Sequence, residues 1–537
     1  MNIKNTIIKN KNLIFLSTLI FSIKPLEFLA INIAVANFKE DLIYPTLLHL
    51  IIYSFYIFSF ILCLNLKNAL VNKFFITIAA AYYLQYFFLD LSDILEIIIP
   101  LSLNKLIIYL ISALAIFTIS YVFTQQYFSS SNQKSFLVIA LLVCLSQIGI
   151  LGFNVLNSLP ASLNKDIEQN THLLSPSNTK DLEIIGENVY YIILDGLTSY
   201  NNFREISSGK DDTYSEFNSE LQRHKFHLSA NSFASYNTTH LTLASIFNMD
   251  YYDDDFTYPN RDQFFPQMLY KNNPPKLIKN LQNIGYKFIY SGNLWSSCKK
   301  STNVSCANRT IDTNQLNIFE KFAYLNNNAG INSYTSRSLL GYFLRKYSSY
   351  FNLLISDDGL DSFLGHGVES IKPFTKNFYF IHNLAPHPPY FDQNCKINNT
   401  EVINGWGSKG QYLQSLACTF KKTLFSINKI LELDSSAIII IQGDHGPGFS
   451  YDFLIDPKKN PSKSLIERFA IGNFIRLPSR CDSSMFNSMG NIETINLVFS
   501  CISNMNNMKI ENRSFAGSYE NNKEFFGKLI EVTENLN

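Results

Sequence analysis

Five apolar stretches in the first 158 residues constrain the fold of this 537-residue chain more than any other feature. Each is close to the roughly 20 residues that a helix needs to cross a bilayer. The stretches lie at about 12–34, 45–64, 73–90, 104–124 and 135–157. A cleaved signal peptide does not account for the first stretch, because four more follow it. The sequence therefore predicts a five-helix transmembrane anchor over residues 1–158.

Basic residues predict the orientation of this anchor. Lysines precede the first, third and fifth stretches, whereas the alternate loops are mainly acidic. These lysines are Lys4, Lys9, Lys11, Lys67, Lys73 and Lys134. The positive-inside rule then places the N-terminus in the cytoplasm, and five crossings leave the rest of the chain outside. We expect a multi-pass protein of the cytoplasmic (inner) membrane with a periplasmic or extracellular domain.

Cysteine usage supports this topology independently. Six of the eight cysteines fall in the predicted external part, and an even number there suits disulfides in an oxidising compartment. They are Cys298, Cys306, Cys395, Cys418, Cys481 and Cys501. We expect neighbours in sequence to pair, although other connectivities stay open. Zinc-ribbon spacing is absent, so a structural metal site is the weaker interpretation.

The external part reads as a linker over 159–187 and a folded domain over 188–537. Continuous apolar runs predict strands of a sheet covered by helices on both faces, at Val189–Leu194, Tyr286–Tyr290, Phe378–Ile381 and Ala437–Ile441. Helical periodicity occurs at Pro275–Asn283, Ser336–Leu353 and Gly410–Leu433. This pattern predicts an α/β domain with a mostly parallel central sheet. The net charge is +1 and basic tracts are absent, which argues against nucleic acid as a partner.

Polar residues that suit metal and phosphate chemistry follow the predicted strands. Asp195 follows the first strand, Asp444 and His445 follow the last, and His387 lies a short loop after the third. A hydroxyl-rich segment with Thr239 opens a helix between the first two strands. Because ligands of open α/β sheets bind beyond the carboxyl ends of the strands, we expect these side chains to converge.

Each residue has a structural alternative when it is taken singly. An Asp-Gly pair is often a turn, a threonine at a helix start is often an N-cap, and His387 is compatible with a loop role. Trp295 is as compatible with core packing as with a substrate contact. Arg468 fits a phosphate contact or a surface ion pair. Adjacent Asp444 and His445 are harder to explain structurally, because they offer two metal ligands together.

Taken together, the motifs resemble the sulfatase/alkaline-phosphatase superfamily. Within it, they are similar to the membrane-anchored group that contains lipoteichoic acid synthases and lipid A phosphoethanolamine transferases, and the five apolar stretches match that group as well. The matching segments are YIILDG (191–196), SYNTTHLTLASIFNMDYY (235–252), GYKFIYSG (285–292), FIHNLAPHPPYFD (380–392) and IIIIQGDHGPG (438–448).

The resemblance implies an alkaline-phosphatase-like domain with one divalent cation, Zn²⁺ or Mn²⁺. The implied ligands are Asp195, Thr239, Asp444 and His445, with Thr239 as the nucleophile. Spacing to the LTLASIFN stretch favours Thr239 over Thr238. The resemblance also implies that His387 faces the substrate, and that Trp295 lies near the donor head group.

The implied activity is transfer of a phospho-head-group, of phosphoethanolamine or phosphoglycerol type, through a phospho-threonine. The expected donor is a membrane phospholipid, and the expected acceptor is a cell-envelope glycan or glycolipid. A periplasmic phosphodiesterase or phosphatase acting on soluble esters is the alternative enzyme, and a non-catalytic relative is a third reading. Sulfate ester hydrolysis is disfavoured, because the sequence contains no Cys/Ser-x-Pro-x-Arg segment.

Overall fold

The structure is a computed structural model, and it describes mainly the second half of the chain. The described residues are Thr77, Leu114 and residues 118–122, 186–252, 265, 267–270, 274–292, 305–306, 359–368, 371–388, 390–396, 406–453, 455–481, 486–503, 511–517 and 529–536. Among them, no helix is both long and apolar enough to span a bilayer. The five predicted spans lie outside these residues, apart from seven positions in the third and fourth.

The chain divides into two compact units. One comprises Met1–Ser175 and Asn314–Phe351, and the other comprises Pro176–Thr313 and Asn352–Asn537. The second unit contains all the elements named below. The predicted limits of the anchor and the linker stay predictions, because residues 123–185 lie outside the described part of the chain.

A seven-stranded mixed sheet forms the centre of the second unit, in the order β2-β7-β6-β1-β5-β3-β4. Its strands are β1 (Val189–Leu194), β2 (His227–Leu228), β3 (Lys287–Ser291), β4 (Ser305–Cys306), β5 (Asn377–Asn383), β6 (Ile438–Gly443) and β7 (Asn473–Arg476). A separate antiparallel pair consists of β8 (Phe515–Ala516) and β9 (Ile530–Glu531).

The prediction of a mostly parallel sheet is confirmed for its central strands. β6, β1, β5, β3 and β4 run parallel, while β7 and β2 add an antiparallel edge. All four predicted strands are present within two residues of their predicted ends. β1 and β6 are completely buried, as their unbroken apolar runs indicate. The antiparallel edge was not predicted, because β2 and β7 are too short to show a pattern.

Helices cover the sheet. They are α1 (Tyr200–Ile206), α2 (Thr213–Arg223), α3 (Thr239–Asn248), α4 (Lys276–Asn283), α5 (Gly359–Ser362), α6 (Lys409–Leu433), α7 (Ser462–Phe469) and α8 (Asn491–Ser503). Single turns of 3₁₀ helix occur at Gln267–Tyr270, Pro457–Lys459, Phe486–Ser488 and Thr533–Asn535, and a π turn at Phe363–Gly367. α4 and α6 confirm two predicted helices, whereas the predicted helix Ser336–Leu353 lies outside the described residues.

The two faces of the sheet bury different helices because successive strand residues point to opposite sides. On one face, Phe217 of α2 stacks on Phe420 of α6, with ring centroids 3.9 Å apart. On the other, Phe247 of α3 packs against Phe380 of β5, at 4.9 Å. His382 is two residues after Phe380, so it shares the face on which α3 packs.

Two disulfides join cysteines that are neighbours in sequence, as predicted: Cys395–Cys418 and Cys481–Cys501. The first attaches the loop after β5 to α6, and the second attaches the chain after β7 to α8. By loop-closure entropy, a disulfide that closes a loop of this size contributes about 3 kcal/mol to stability. The predicted third pair, Cys298–Cys306, lies outside the described side chains.

Candidate active site

Three neighbouring parallel strands bring polar side chains to one edge of the sheet. β1 is flanked by β6 and β5, so the residues that follow these strands lie side by side. Asp195 follows β1 directly, Asp444 follows β6 directly, and His382 lies near the end of β5. All three are buried. These three side chains therefore lie at the carboxyl ends of neighbouring strands, where ligands of such sheets bind.

Asp444 uses its two carboxylate oxygens differently. Oδ1 accepts hydrogen bonds from the backbone N–H groups of Gly196 and His445, both at 2.9 Å. Oδ2 is buried and has no hydrogen-bond partner, and Asp195 Oδ1 is in the same state. Leaving two carboxylate oxygens buried without partners is costly. A cation bound between these two oxygens would satisfy both of them.

His445 supplies a nitrogen to the same point. Its Nδ1 lies 3.0 Å from the Gly446 carbonyl, which can only accept, so Nδ1 carries the proton and Nε2 presents its lone pair. Nε2 lies 3.4 Å from Asp444 Oδ2 and 3.6 Å from Asp195 Oδ1. The potential ligand atoms of these three residues all lie within 4.8 Å of one another. Two carboxylates and one imidazole suit Zn²⁺ or Mn²⁺.

Thr239 is the first residue of α3 and faces this cluster. Its hydroxyl donates to Asp195 Oδ2 at 3.3 Å and lies 3.0 Å from His445 Nε2. Its side chain is partly exposed, whereas Thr238 is buried. Thr238 holds the N-cap position without a capping hydrogen bond from its side chain. The hydroxyl at the cluster is therefore that of Thr239, at a helix N-terminus where the backbone favours an anionic group.

The electrostatics of the cluster separate the two carboxylates. Burial raises the pKa of Asp444 to about 7, and the charge of Asp195 acts in the same direction. Burial also disfavours the ionised form of Asp195, but His387 and the neighbouring histidines outweigh it and hold its pKa below the usual value. Burial, followed by the charge of Arg468, keeps the pKa of His445 well below its ordinary value. At neutral pH, the His445 ring is therefore neutral, which is the form of imidazole that binds a metal.

These values predict that metal affinity depends on one proton near neutrality. Below the pKa of about 7, protonated Asp444 cannot bind a cation, so affinity should fall about tenfold per pH unit. Above pH 7 it should level off, because His445 is already neutral and Asp195 already ionised. Chelator competition with Zn²⁺ from about pH 5.5 to 8 measures this slope. A flat profile between about pH 5.5 and 7 would contradict the assignment.

His387 lies beside the cluster on the loop after β5. Its backbone N–H donates to the Asp195 carbonyl at 3.0 Å, and its ring Nδ1 lies 2.7 Å from the Pro388 carbonyl. The ring is partly exposed and meets the Trp406 ring edge-on, at 4.8 Å between centroids. This position next to Asp195 suits contact with a substrate, and the substrate role that the resemblance implies for His387 stays a prediction.

The other two predicted substrate contacts have different outcomes. Arg468 is 4 % exposed, so the surface ion pair considered for it is wrong. Its guanidinium donates to the carbonyls of Asn237 and Gly446, both at 2.8 Å. Trp295 lies outside the described residues.

Two residues of the site were not predicted as functional. Trp406 packs against His387, lies 6.1 Å from His445 between ring centroids, and closes over Gly196. Gly196 has a φ of +77°, and a Cβ there would come 2.4 Å from the Trp406 ring. His382 lies 3.6 Å from Asp195 Oδ2. The sequence offers His382 only as a candidate ligand for a second metal, whereas Trp406 follows a polar stretch that carries no signal.

Distant segments hold the backbone before Thr239. The Ser235 N–H donates to Asn491 Oδ1 at 3.0 Å, and the Ser235 carbonyl accepts from the Phe515 N–H at 2.9 Å. The Asn237 side chain forms a reciprocal pair with the backbone of Gly517, at 2.8 and 2.9 Å. Residues 511–517, the clip, thus fasten residues 235–237 in front of Thr239.

Comparison with known proteins gives only distant structural likenesses. No family model matches the chain, and no curated protein matches it. The C-terminal periplasmic domain of EcEptC from Escherichia coli is 14% identical, over 64% of this chain and 92% of that one, with a TM-score of 0.35. Lipooligosaccharide phosphoethanolamine transferase A from Neisseria meningitidis is 10% identical, over 93% of this chain and 97% of that one, with a TM-score of 0.36.

The lipoteichoic acid synthase LtaP from Listeria monocytogenes is 11% identical, over 68% of this chain and 92% of that one, with a TM-score of 0.36. Likenesses at this level do not assign an activity. The residues of the site carry the functional proposal.

Proposed function

We propose that this protein is a metal-dependent transferase that moves a phospho-head-group from a membrane phospholipid to a cell-envelope glycan or glycolipid. The group passes through a covalent phosphate ester on Thr239. The single observation that carries the proposal is the position of the Thr239 hydroxyl. It lies 3.0 Å from His445 Nε2 and 3.3 Å from Asp195 Oδ2, beside two buried carboxylate oxygens without partners.

The donor set fits one divalent cation, which Asp195, Asp444 and His445 would hold together with Thr239. Such a cation lowers the pKa of a coordinated hydroxyl and neutralises charge on a phosphoryl oxygen. A polar nucleophile beside ligands of this kind suits attack on phosphorus rather than a structural role. Asp444 Oδ1 keeps its two backbone N–H donors, which fixes the direction of its other oxygen.

The first half-reaction forms the Thr239–phosphorus bond. The hydroxyl proton is lost to solvent, and the Thr239 oxygen attacks the phosphorus of the donor. The bond between phosphorus and the oxygen of the diacylglycerol breaks, and protonated His387 gives its proton to that oxygen. Diacylglycerol leaves, and the head group stays on Thr239 as a phosphodiester.

The second half-reaction reverses these roles. Neutral His387 accepts the proton of an acceptor hydroxyl, whose oxygen attacks the phosphorus. The bond to the Thr239 oxygen breaks, and the head group stays on the acceptor. The Thr239 oxygen takes back a proton from solvent, equal to the one lost in the first half-reaction, and protonated His387 is restored, so that charge and protons balance over the cycle.

The membrane donor is proposed from the predicted anchor. Five spans at the cytoplasmic membrane would keep the site near lipid head groups, and a linker of about 29 residues permits that approach. A hydrolase of soluble esters needs no such attachment. The proposed location of the catalytic domain is periplasmic or extracellular, in keeping with the two disulfides.

A lipid assay tests the donor. We expect the full-length protein in detergent to release labelled diacylglycerol from phosphatidylethanolamine or phosphatidylglycerol, and intact-mass analysis to find the matching head group on Thr239. The control is Thr239→Ala, which should give neither product. Efficient turnover of water-soluble esters, with no diacylglycerol from either lipid, would support the periplasmic hydrolase instead.

A further inference from the structure

We infer that Arg468 is a positioning residue. It holds the backbone before Thr239 at a fixed distance from the turn that contains Asp444 and His445. This inference deepens the proposed function and rests on it in taking Thr239 as the nucleophile. It differs from the direct contact between Arg468 and a substrate phosphate that the sequence allows.

The side chain of Arg468 bridges two segments that are far apart in sequence. Nε donates to the carbonyl of Asn237, and Nη1 donates to the carbonyl of Gly446, both at 2.8 Å. Asn237 is two residues before Thr239, and Gly446 directly follows His445. A single planar guanidinium thus sets the separation between the start of α3 and the turn after β6.

The Gly446 carbonyl has a second role that makes this contact matter for the metal site. It accepts from His445 Nδ1 at 3.0 Å as well as from Arg468. The first of these bonds fixes the ring orientation and tautomer that direct His445 Nε2 at the cluster. Partners of this kind orient metal ligands and tune their affinity. Arg468 therefore acts on His445 through the carbonyl, and on Thr239 through the backbone before it.

The surroundings of the guanidinium favour a fixed position. Its central carbon lies 5.5 Å from the Trp406 ring and 5.1 Å from the Phe453 ring, and aromatic faces stabilise a desolvated cation. The residue is 4 % exposed. To hold a substrate phosphate with the same nitrogens, it would have to leave both carbonyls and both rings. Lys could reach one carbonyl but could not reproduce the fork.

Metal affinity measured without substrate tests this inference separately from the proposed function. In the full-length protein, Arg468→Gln should weaken Zn²⁺ binding about tenfold in chelator competition, and Arg468→Lys should weaken it less. The matched control is Arg476→Gln. Arg476 also donates to backbone carbonyls, those of His224, Ala437 and Ser435, but two of these flank the opposite end of β6. The Zn²⁺ affinity of Arg476→Gln should stay within about twofold of that of the natural protein.

Turnover of a chromogenic phosphodiester gives the second readout. Arg468→Gln should lower kcat about 100-fold, as a small misplacement of reacting groups does, with KM changed less than about threefold. Guanidinium at low concentration should restore part of kcat to Arg468→Ala and none to Thr239→Ala. A raised KM with unchanged Zn²⁺ affinity would overturn the inference in favour of a substrate contact. Equal loss of Zn²⁺ affinity in Arg468→Gln and Arg476→Gln would reduce Arg468 to a stabilising residue.

Discussion

Thr239→Ala is expected to lower turnover at least about 1,000-fold, because loss of a nucleophile removes the covalent route. The change deletes the hydroxyl that lies 3.0 Å from His445 Nε2 and leaves the apolar face of α3 intact. Its effect on folding should be small, about 1 kcal/mol or less, because the residue is at the helix start and partly exposed. Turnover of labelled lipid and intact-mass analysis measure the two losses together.

Thr238→Ala is the matched control for this change. Thr238 adjoins Thr239, but it is buried and does not cap α3 with its side chain. We expect its turnover to stay within about threefold of the natural protein. Thr239→Ser should keep the covalent ester at a reduced rate. If Thr238→Ala loses turnover while Thr239→Ala keeps it, the nucleophile is misassigned, and if both keep it, the covalent mechanism is wrong.

Asp444→Asn is expected to have the second largest effect, a loss of Zn²⁺ affinity of about 100-fold or more. The amide can still accept the two backbone hydrogen bonds made to Oδ1. It replaces the unpartnered Oδ2 with a neutral donor that cannot bind a cation. The pH slope of affinity should disappear with it, since the proton of Asp444 causes that slope. Elemental analysis and chelator competition on the purified protein measure both effects.

Asp434→Asn is the matched control. It shows whether the loss of Zn²⁺ affinity is specific to Asp444 or follows from removing any buried carboxylate. Asp434 is also fully buried, but it precedes β6, whereas Asp444 follows it. Its oxygens accept from Asn188 and Ser436 at 2.8 and 2.7 Å. Losing such bonds should cost about 1–3 kcal/mol of stability and leave Zn²⁺ binding unchanged. Similar metal loss in both variants would mean that Asp444 acts through the fold alone.

The parts of the site that could be predicted are those tied to strand ends. An unbroken apolar run such as Val189–Leu194 indicates a buried strand, and parallel strands end at one edge of the sheet. Asp195, Asp444 and His445 are therefore brought together by topology that the sequence pattern already implies. The position of Thr239 at a helix start follows from the same local pattern.

The contacts that cross between distant segments could not be predicted. Arg468 lies in a short amphipathic helix, where a charged residue usually faces solvent, and only tertiary packing shows it buried under Trp406. Trp406 itself follows a polar stretch without periodicity. The clip contacts the segment before Thr239 mainly through backbone groups of Phe515 and Gly517, which every residue type carries, so its sequence does not reveal the contact.

The clip has a consequence for how an active molecule comes into being. Its bond from Gly517 to Asn237 joins residues 280 positions apart. A chain is made from its N-terminus, and domains fold as they emerge, so Thr239 and all three metal ligands appear before the segment that fastens them. A nascent or prematurely terminated copy would carry the full set of reactive groups without their final spacing. We expect such a copy to stay inert until residues 511–517 have joined the domain.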